Sequence, residues 1–215
     1  MPDDLMTSAR VANPMIGLGL LEMVSDDLLA ALADPDDTDM DGVSGRINVV
    51  WDARDNKMAT GKFGWKANAP NLTNQNSGAA LGDMGITTPT RSNDNCEAIQ
   101  ELCSAAATHD GVEMSKAFLN QMNVYTRRLA VPRQRGATLP EVVRGQARFL
   151  ETGCQNCHIP TLETGADPRS EDLAEQTIHP FTDLLLHDMG EGLSDGRPDF
   201  LATGSEWRTA PLWGI

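Results

Sequence analysis

Residues 154–158 read Cys-Gln-Asn-Cys-His, the CxxCH arrangement by which a chain covalently holds a c-type haem. Two thiols two residues apart can add to the two vinyl groups of one macrocycle. The adjoining imidazole, His158, then presents a nitrogen to the iron. Other uses of a CxxC pair fit less well. A zinc site wants a second ligand pair at comparable spacing, and the remaining cysteines, Cys96 and Cys103, lie seven apart. A thioredoxin-like motif follows a strand and opens a helix, whereas here a helical pattern leads into the motif. Thr138-Leu139-Pro140-Glu141 has the form of a capping box with Pro in the first turn. Val143, Ala147 and Leu150 follow at i, i+4 and i+7 with Phe149 beside them, and Gly153 ends the segment.

The 215 residues suffice for one large domain or two small ones. Aromatic residues make up only 5%, and a haem would stand in for the missing aromatic core. A formal charge of −14 disfavours nucleic acid, whose phosphates would be repelled, and suits a basic or dipolar partner. No run approaches the length of a membrane span. The first residues lack the basic and apolar regions of a signal peptide, although covalent haem attachment belongs to the oxidising, extracytoplasmic side. An internal fragment of a periplasmic or otherwise extracytoplasmic protein reconciles the two.

Along the chain, residues 14–34 read as helical in two pieces. Ser25 is the N-cap of the second piece, Leu28, Leu29 and Leu32 form its inward stripe, and Pro35 stops it. Residues 36–112 are rich in Asp, Asn, Gly and Thr and read as loops with short elements. A further helix begins at Ser115 and carries Phe118, Met122, Tyr125 and Leu129 as its apolar stripe. Residues 132–136 are the best linker. Residues 159–180 read as loop and 181–189 as a short apolar element.

Asp37, Asp39 and Asp41, followed by Gly42, form a DxDxDG run in which alternate carboxylates can converge on calcium. Asn48 stands where an EF-hand has its bidentate Glu, and an acidic turn capped by its own side chains is the equal alternative. On one continuous helix Cys96 and Cys103 would be about 10 Å apart, too far to bridge. A disulfide between them therefore requires a turn within residues 97–102, and two free thiols are the alternative. Candidate sixth iron ligands are His187 and Met189, with Met84 and His179 also available.

Several stretches resemble, in order, the di-haem oxidoreductases, also called thiol oxidoreductase-like proteins, relatives of bacterial di-haem cytochrome c peroxidases. They are PMIGLGLLE (14–22), DGVSGR (41–46), FGWKA (63–67), GDMGIT (82–87), the CxxCH, DLLLHDMG (183–190) and EWRTAPLWG (206–214). The resemblance implies a second haem from an earlier CxxCH and a later closing segment. It also implies a peroxide pocket. Trp65 and Gln75 keep a ten-residue spacing of that pocket, and Asp83 before Met84 takes the place of an acid/base Glu before Met. A carboxylate there would move a proton between peroxide oxygens. Core packing of Trp65 and loop hydrogen bonding of Gln75 and Asp83 are the alternatives. Arg208 would pair with a haem propionate or form a structural salt bridge.

The expected architecture is a mainly α, cytochrome c-like haem domain at 138–215 with long irregular loops, preceded at 1–137 by the remnant of a peroxidase-side module. The expected function is extracytoplasmic redox chemistry on a peroxide, with electrons entering through haem c from a small redox donor protein or a second haem domain. An electron-transfer cytochrome without substrate chemistry is the alternative, and a binding module stabilised by haem and calcium is a third.

Overall fold

The computed structural model describes residues 6–106, 111–167 and 170–215. Two short helices come first, α1 (Leu18–Glu22) and α2 (Asp26–Leu32). Ser25 caps α2 as expected, its side chain accepting from Leu28 N–H, and Asp26 and Asp27 sit in the first turn, where they favour the helix dipole. Next come the antiparallel hairpin β1 (Val49–Asp52) and β2 (Lys57–Thr60) and α3 (Leu72–Met84), capped by Asn71. α4 (Glu101–Ser104), α5 (Lys116–Arg127) and α6 (Pro140–Glu151) follow. The last third holds two small antiparallel ladders, β3 (Leu162–Glu163) with β4 (Thr177–Ile178) and β5 (Leu186–Asp188) with β6 (Glu206–Arg208).

The expectation of a mainly α, cytochrome c-like fold does not hold. Helix accounts for 30% and strand for 12%, and among the described residues the six α-helices are short and nothing in the architecture points to a cytochrome c fold. The reason lies in how the backbone is satisfied after residue 151. Side chains and two- or three-residue ladders, rather than helices, satisfy the backbone there. Thr164, for example, binds the carbonyls of Leu173 and Gln176 and receives Gln176 N–H.

One apolar cluster joins α1 and α2 to distant segments. It contains Leu18, Leu21, Val24, Leu29, Phe63 and Leu72 together with Leu162, Ile178, Leu184, Leu185 and Trp213. It thus draws on both sides of residue 137. α5 packs on α3 through a different kind of face. Asn76 Nδ2 donates to Asn123 Oδ1 (2.8 Å) and Thr126 Oγ1 (3.0 Å), and Asn123 Nδ2 donates to Thr73 Oγ1 (3.0 Å), all buried. Leu119, Asn123 and Thr126 are the buried residues of α5, whereas Phe118 and Tyr125 are 57% and 66% exposed. The apolar stripe read from the sequence is therefore split: Phe118 and Tyr125 face outward, because the α3 surface beside Asn123 and Thr126 is amide and hydroxyl, while Met122 packs against the small apolar cluster of Ala80, Met114 and Leu119. Paired amides in a dry seam are tolerated only when every group has a partner.

α6 buries none of its residues, and Val143 and Leu150 are largely exposed. Its N-cap is Leu139 without a side-chain hydrogen bond, so the capping box at Thr138 does not form. Pro140 nevertheless occupies the first turn as expected. Cys96 and Cys103 are bridged, with Cα atoms 5.7 Å apart. The chain turns at residues 97–100 before α4, which shortens the distance that a continuous helix would impose.

Lys66 is fully buried, and its Nζ donates to the carbonyls of Thr203, Gly204 and Glu206 and pairs with Asp195 at 3.2 Å. Lys66→Met removes the cation and leaves three carbonyls facing apolar atoms, whereas Asp195 keeps Ser8 and Arg10. Leaving a buried acceptor without its donor costs about 1–3 kcal/mol for each group. Urea unfolding of the variant should show a loss of that order, with an unchanged slope.

Candidate functional site

The motif loop follows α6 directly. Gly153 sits in the left-handed region (φ 76°) and turns the chain into a single 3-10 turn over Cys154–Asn156. Cys154 is exposed, Cys157 is half-buried, and both thiols are free. His158 Nδ1 lies 2.8 Å from the carbonyl of Phe181, an acceptor, so Nδ1 carries the proton and Nε2 holds a free lone pair. That is the tautomer in which a histidine can ligate iron, oriented by an outer hydrogen bond. Phe181 is itself held at φ 54°, an uncommon conformation for a residue with Cβ. Phe149, from the end of α6, packs edge-on against both His158 and Phe181. Two unbridged thiols, a free Nε2 and an open apolar face on α6 fit a covalently held haem.

His187 lies behind the motif. Its Nε2 is 2.7 Å from Asp183 Oδ2 and its Nδ1 is 3.8 Å from Cys157 Sγ. Burial works to lower the pKa of His187. Hydrogen bonding to Asp183 and Cys157 and the attraction of their charges outweigh it, and the value is raised to about 10. A Cβ at Gly45 would stand 2.9 Å from His187 Cε1, which explains the glycine of the DGVSGR stretch. In this arrangement both ring nitrogens of His187 have partners. Met189 and Met84 are about half exposed, and His179 meets Thr161 at the surface.

Trp65, Gln75, Asp83 and Arg208 all line one cavity of about 650 Å³. Gln75 and Asp83 stand two turns apart on one face of α3, with Ala79 between them. Trp65 and Arg208 come from the segment that Lys66 anchors. Trp65 Nε1 donates to Val11 O, which pins residues 10–16 along the rim. Arg208 is 5% exposed, and its guanidinium donates only to the carbonyls of Gly64 and Thr209 among the described residues. Burial lowers its pKa to about 10, against the pull of Asp183, so it remains a cation at neutral pH. Sequence reasoning missed two further wall residues, Asn13 and Arg91. Asn13 Oδ1 and Arg91 Nε are buried in that wall without a hydrogen-bond partner among the described residues. Neither residue sits in a recognisable spacing, so no sequence signal could have found them.

The acidic loop lies at the edge of the motif. One carboxylate oxygen from each of Asp37, Asp39 and Asp41 falls within 4.8 Å of the others. Some of that carboxylate capacity already serves the loop. Asp37 accepts from Gly42 N–H, Asp39 from Asp41 N–H, and Asp41 from Val43 N–H and from Asn156 Nδ2 at 2.8 Å. Among the described residues no helix is long and apolar enough to cross a membrane.

Over residues 1–215 the chain matches the family described as "Di-haem oxidoreductase, putative peroxidase", and it belongs to that family. The family's name implies a haem cofactor and peroxidase-like oxidoreductase chemistry. No curated protein and no solved structure matches the chain.

Because its folded pKa is raised, His187 binds its proton more tightly in the native than in the unfolded chain. The stability this contributes is fully present below about pH 6.5 and is lost as pH rises through about 10. Asp183→Asn removes the main source of the rise. In haem-free protein the stability gap between wild type and Asp183→Asn should be widest near pH 6 and should close towards pH 10, as measured by urea midpoints across that range.

Proposed function

We propose that the chain is a c-type haem protein of the extracytoplasmic space that reduces peroxides. Cys154 and Cys157 would carry the haem through thioethers and His158 would ligate its iron. Once bound, the haem would supply the one-electron redox chemistry. The cavity that gathers Trp65, Gln75, Asp83 and Arg208 is the observation that carries the peroxidase reading, because the family resemblance expects Trp65, Gln75 and Asp83 together and all four residues line one cavity.

Within that reading each residue has a task. Asp83 transfers a proton between the two oxygens of a bound peroxide. Gln75, on the same face of α3, hydrogen-bonds the peroxide and fixes its orientation. Arg208, cationic and without a carboxylate partner among the described residues, holds an anionic group such as a propionate. Trp65 closes the wall beside it. Electrons arrive from a small redox protein or a further haem domain, and the acidic surface implied by a net charge of −14 favours a donor with a basic face.

Haem attachment is tested by producing the chain in a host that exports and matures c-type cytochromes. After denaturation haem should travel with the polypeptide on a gel. Cys154→Ala should weaken attachment, and loss of haem from the folded wild type would refute the proposal. In haem-loaded protein that turns over peroxide, Asp83→Asn should keep the haem spectrum and slow peroxide cleavage by roughly 10²- to 10⁴-fold. An undiminished rate would remove Asp83 from the mechanism.

The convergence of Asp37, Asp39 and Asp41 within 4.8 Å supports calcium as an accessory ion. Binding selective for the native state raises stability. Millimolar calcium should therefore raise the melting temperature of wild type and not that of Asp39→Asn combined with Asp41→Asn.

A further inference from the structure

The two thiols of the CxxCH motif stand in different surroundings. Cys154 is exposed, and its Sγ meets the hydroxyl of Thr152 at 3.4 Å. Cys157 is half-buried, and its Sγ lies 3.8 Å from Nδ1 of His187. The other ring nitrogen, Nε2, is 2.7 Å from Asp183 Oδ2. A thiol, an imidazole and a carboxylate thus stand in series, the order of nucleophile, base and orienting group found where a side chain is activated for attack.

Several contacts hold the series in place. Asp183 and His187 are 2% and 7% exposed. Asp183 is tied to the motif itself, its N–H donating to the carbonyl of Cys157 (3.1 Å). Its Oδ1 accepts from Leu185 N–H (2.9 Å), which leaves Oδ2 for the ring. Leu184 lies at φ 61°, a conformation uncommon for a residue with Cβ, and there the chain bends between the carboxylate and the ring it holds. Gly45 confines the ring from the other side, since a Cβ there would stand 2.9 Å from His187 Cε1 and 3.3 Å from Nε2. Because Asp183 accepts from Nε2, Nδ1 is the nitrogen that exchanges a proton with Cys157. The peroxidase reading uses neither Asp183 nor His187.

We infer that His187 promotes the addition of Cys157 to a haem vinyl group, with Asp183 positioning its ring, an inference that rests on the function proposed above. The Cys157 proton passes to Nδ1 of His187, and the sulfur forms a bond to the inner carbon of the vinyl group. The π bond of that group breaks, and Nδ1 returns the proton to its terminal carbon. One S–H bond and one π bond are replaced by one S–C and one C–H bond. No electron is gained or lost, and His187 ends as it began. Among the described residues Cys154 has no such base at hydrogen-bonding distance. The thioether at Cys157 is therefore the faster of the two to form, and it holds the macrocycle beside His158 while Cys154 reacts.

The test follows bond formation rather than turnover. Purified haem-free chain is mixed with ferrous haem under argon, apart from any maturation machinery, and samples are denatured to measure the haem retained by the polypeptide. Cys96 and Cys103 are bridged and take no part. Cys154→Ala and Cys157→Ala each leave one motif thiol, so each reports on the thiol that remains. The Cys154→Ala chain, which keeps Cys157, should form its thioether about 10²-fold faster or more than the Cys157→Ala chain, and urea should abolish the difference. Adding His187→Gln, which keeps an amide in place of the ring but no base, should remove the advantage of Cys157 and leave the rate at Cys154 unchanged. The pair of single-thiol chains decides the matter if His187→Gln does not fold. Equal rates at the two thiols in folded protein would overturn the inference, and so would an undiminished rate at Cys157 or an equal loss at both thiols in folded His187→Gln. Wild type that acquires covalent haem in a maturing host but none in the purified mixture also overturns it, leaving the proposed function intact. Wild type without covalent haem from either source would remove the function and this inference together.

Discussion

Lys66 is the fixed point of this structure. A primary ammonium with no exposure to water survives only if its charge and its three donors are matched. It finds three carbonyls from residues 203–206, the Asp195 carboxylate and the face of Trp207 at 4.1 Å. Those contacts tie a C-terminal loop to the FGWKA stretch in the middle of the chain. Asp195 extends the network by accepting from Ser8 and Arg10, and Arg10 stacks over the same Trp207 ring. Three distant parts of the sequence are thereby fixed beside Trp65.

The walls of the cavity that Trp65 and Arg208 line follow from that anchor. Arg208 N–H donates to the carbonyl of Trp65 and Arg208 Nε to that of Gly64, so the arginine and the tryptophan are held on one wall. The opposite wall is α3, and its position is set elsewhere. Glu22 at the end of α1 accepts from Leu72 N–H at the start of α3 and forms a buried ion pair with Arg127 of α5. Together with the amide seam between α3 and α5, this carboxylate decides which face of α3 turns inward. Gln75 and Asp83 meet Trp65 because these two polar networks lock against one apolar cluster.

Much of the chemistry was legible in the sequence, and less of the fold. The CxxCH run and its following histidine could be read from spacing because adjacency in the chain is what the chemistry needs. The cap at Ser25 was equally local and formed as read, and the helix expected from Ser115 starts there, with Ser115 as its cap. The outward turn of Phe118 and Tyr125 on α5 was not legible. Periodicity identifies an apolar face but assumes that the partner surface is apolar too, and here part of the partner presents Thr73 and Asn76. A mainly α fold was expected for the same reason: helix signals are strong and local, while the ladders after residue 160 are two or three residues long and leave no periodic trace.

Sequence alone determined which chemical groups the protein has, the two thiols and imidazole of the motif, the alternating aspartates and the spaced Trp65, Gln75 and Asp83, because each is defined by identity and short separation. The tertiary structure decided which of them share a site. It gave His158 its proton on Nδ1 through the carbonyl of Phe181, twenty-three residues away, and paired His187 with Asp183 behind the motif. It buried a polar atom of each of Asn13 and Arg91 in the cavity wall without a partner among the described residues and set Trp213 between two chambers on the bare backbone of Gly17. Such relations depend on where buried polar groups find partners across the whole chain, and hydrogen-bond satisfaction in a dry interior is a property of the packed molecule.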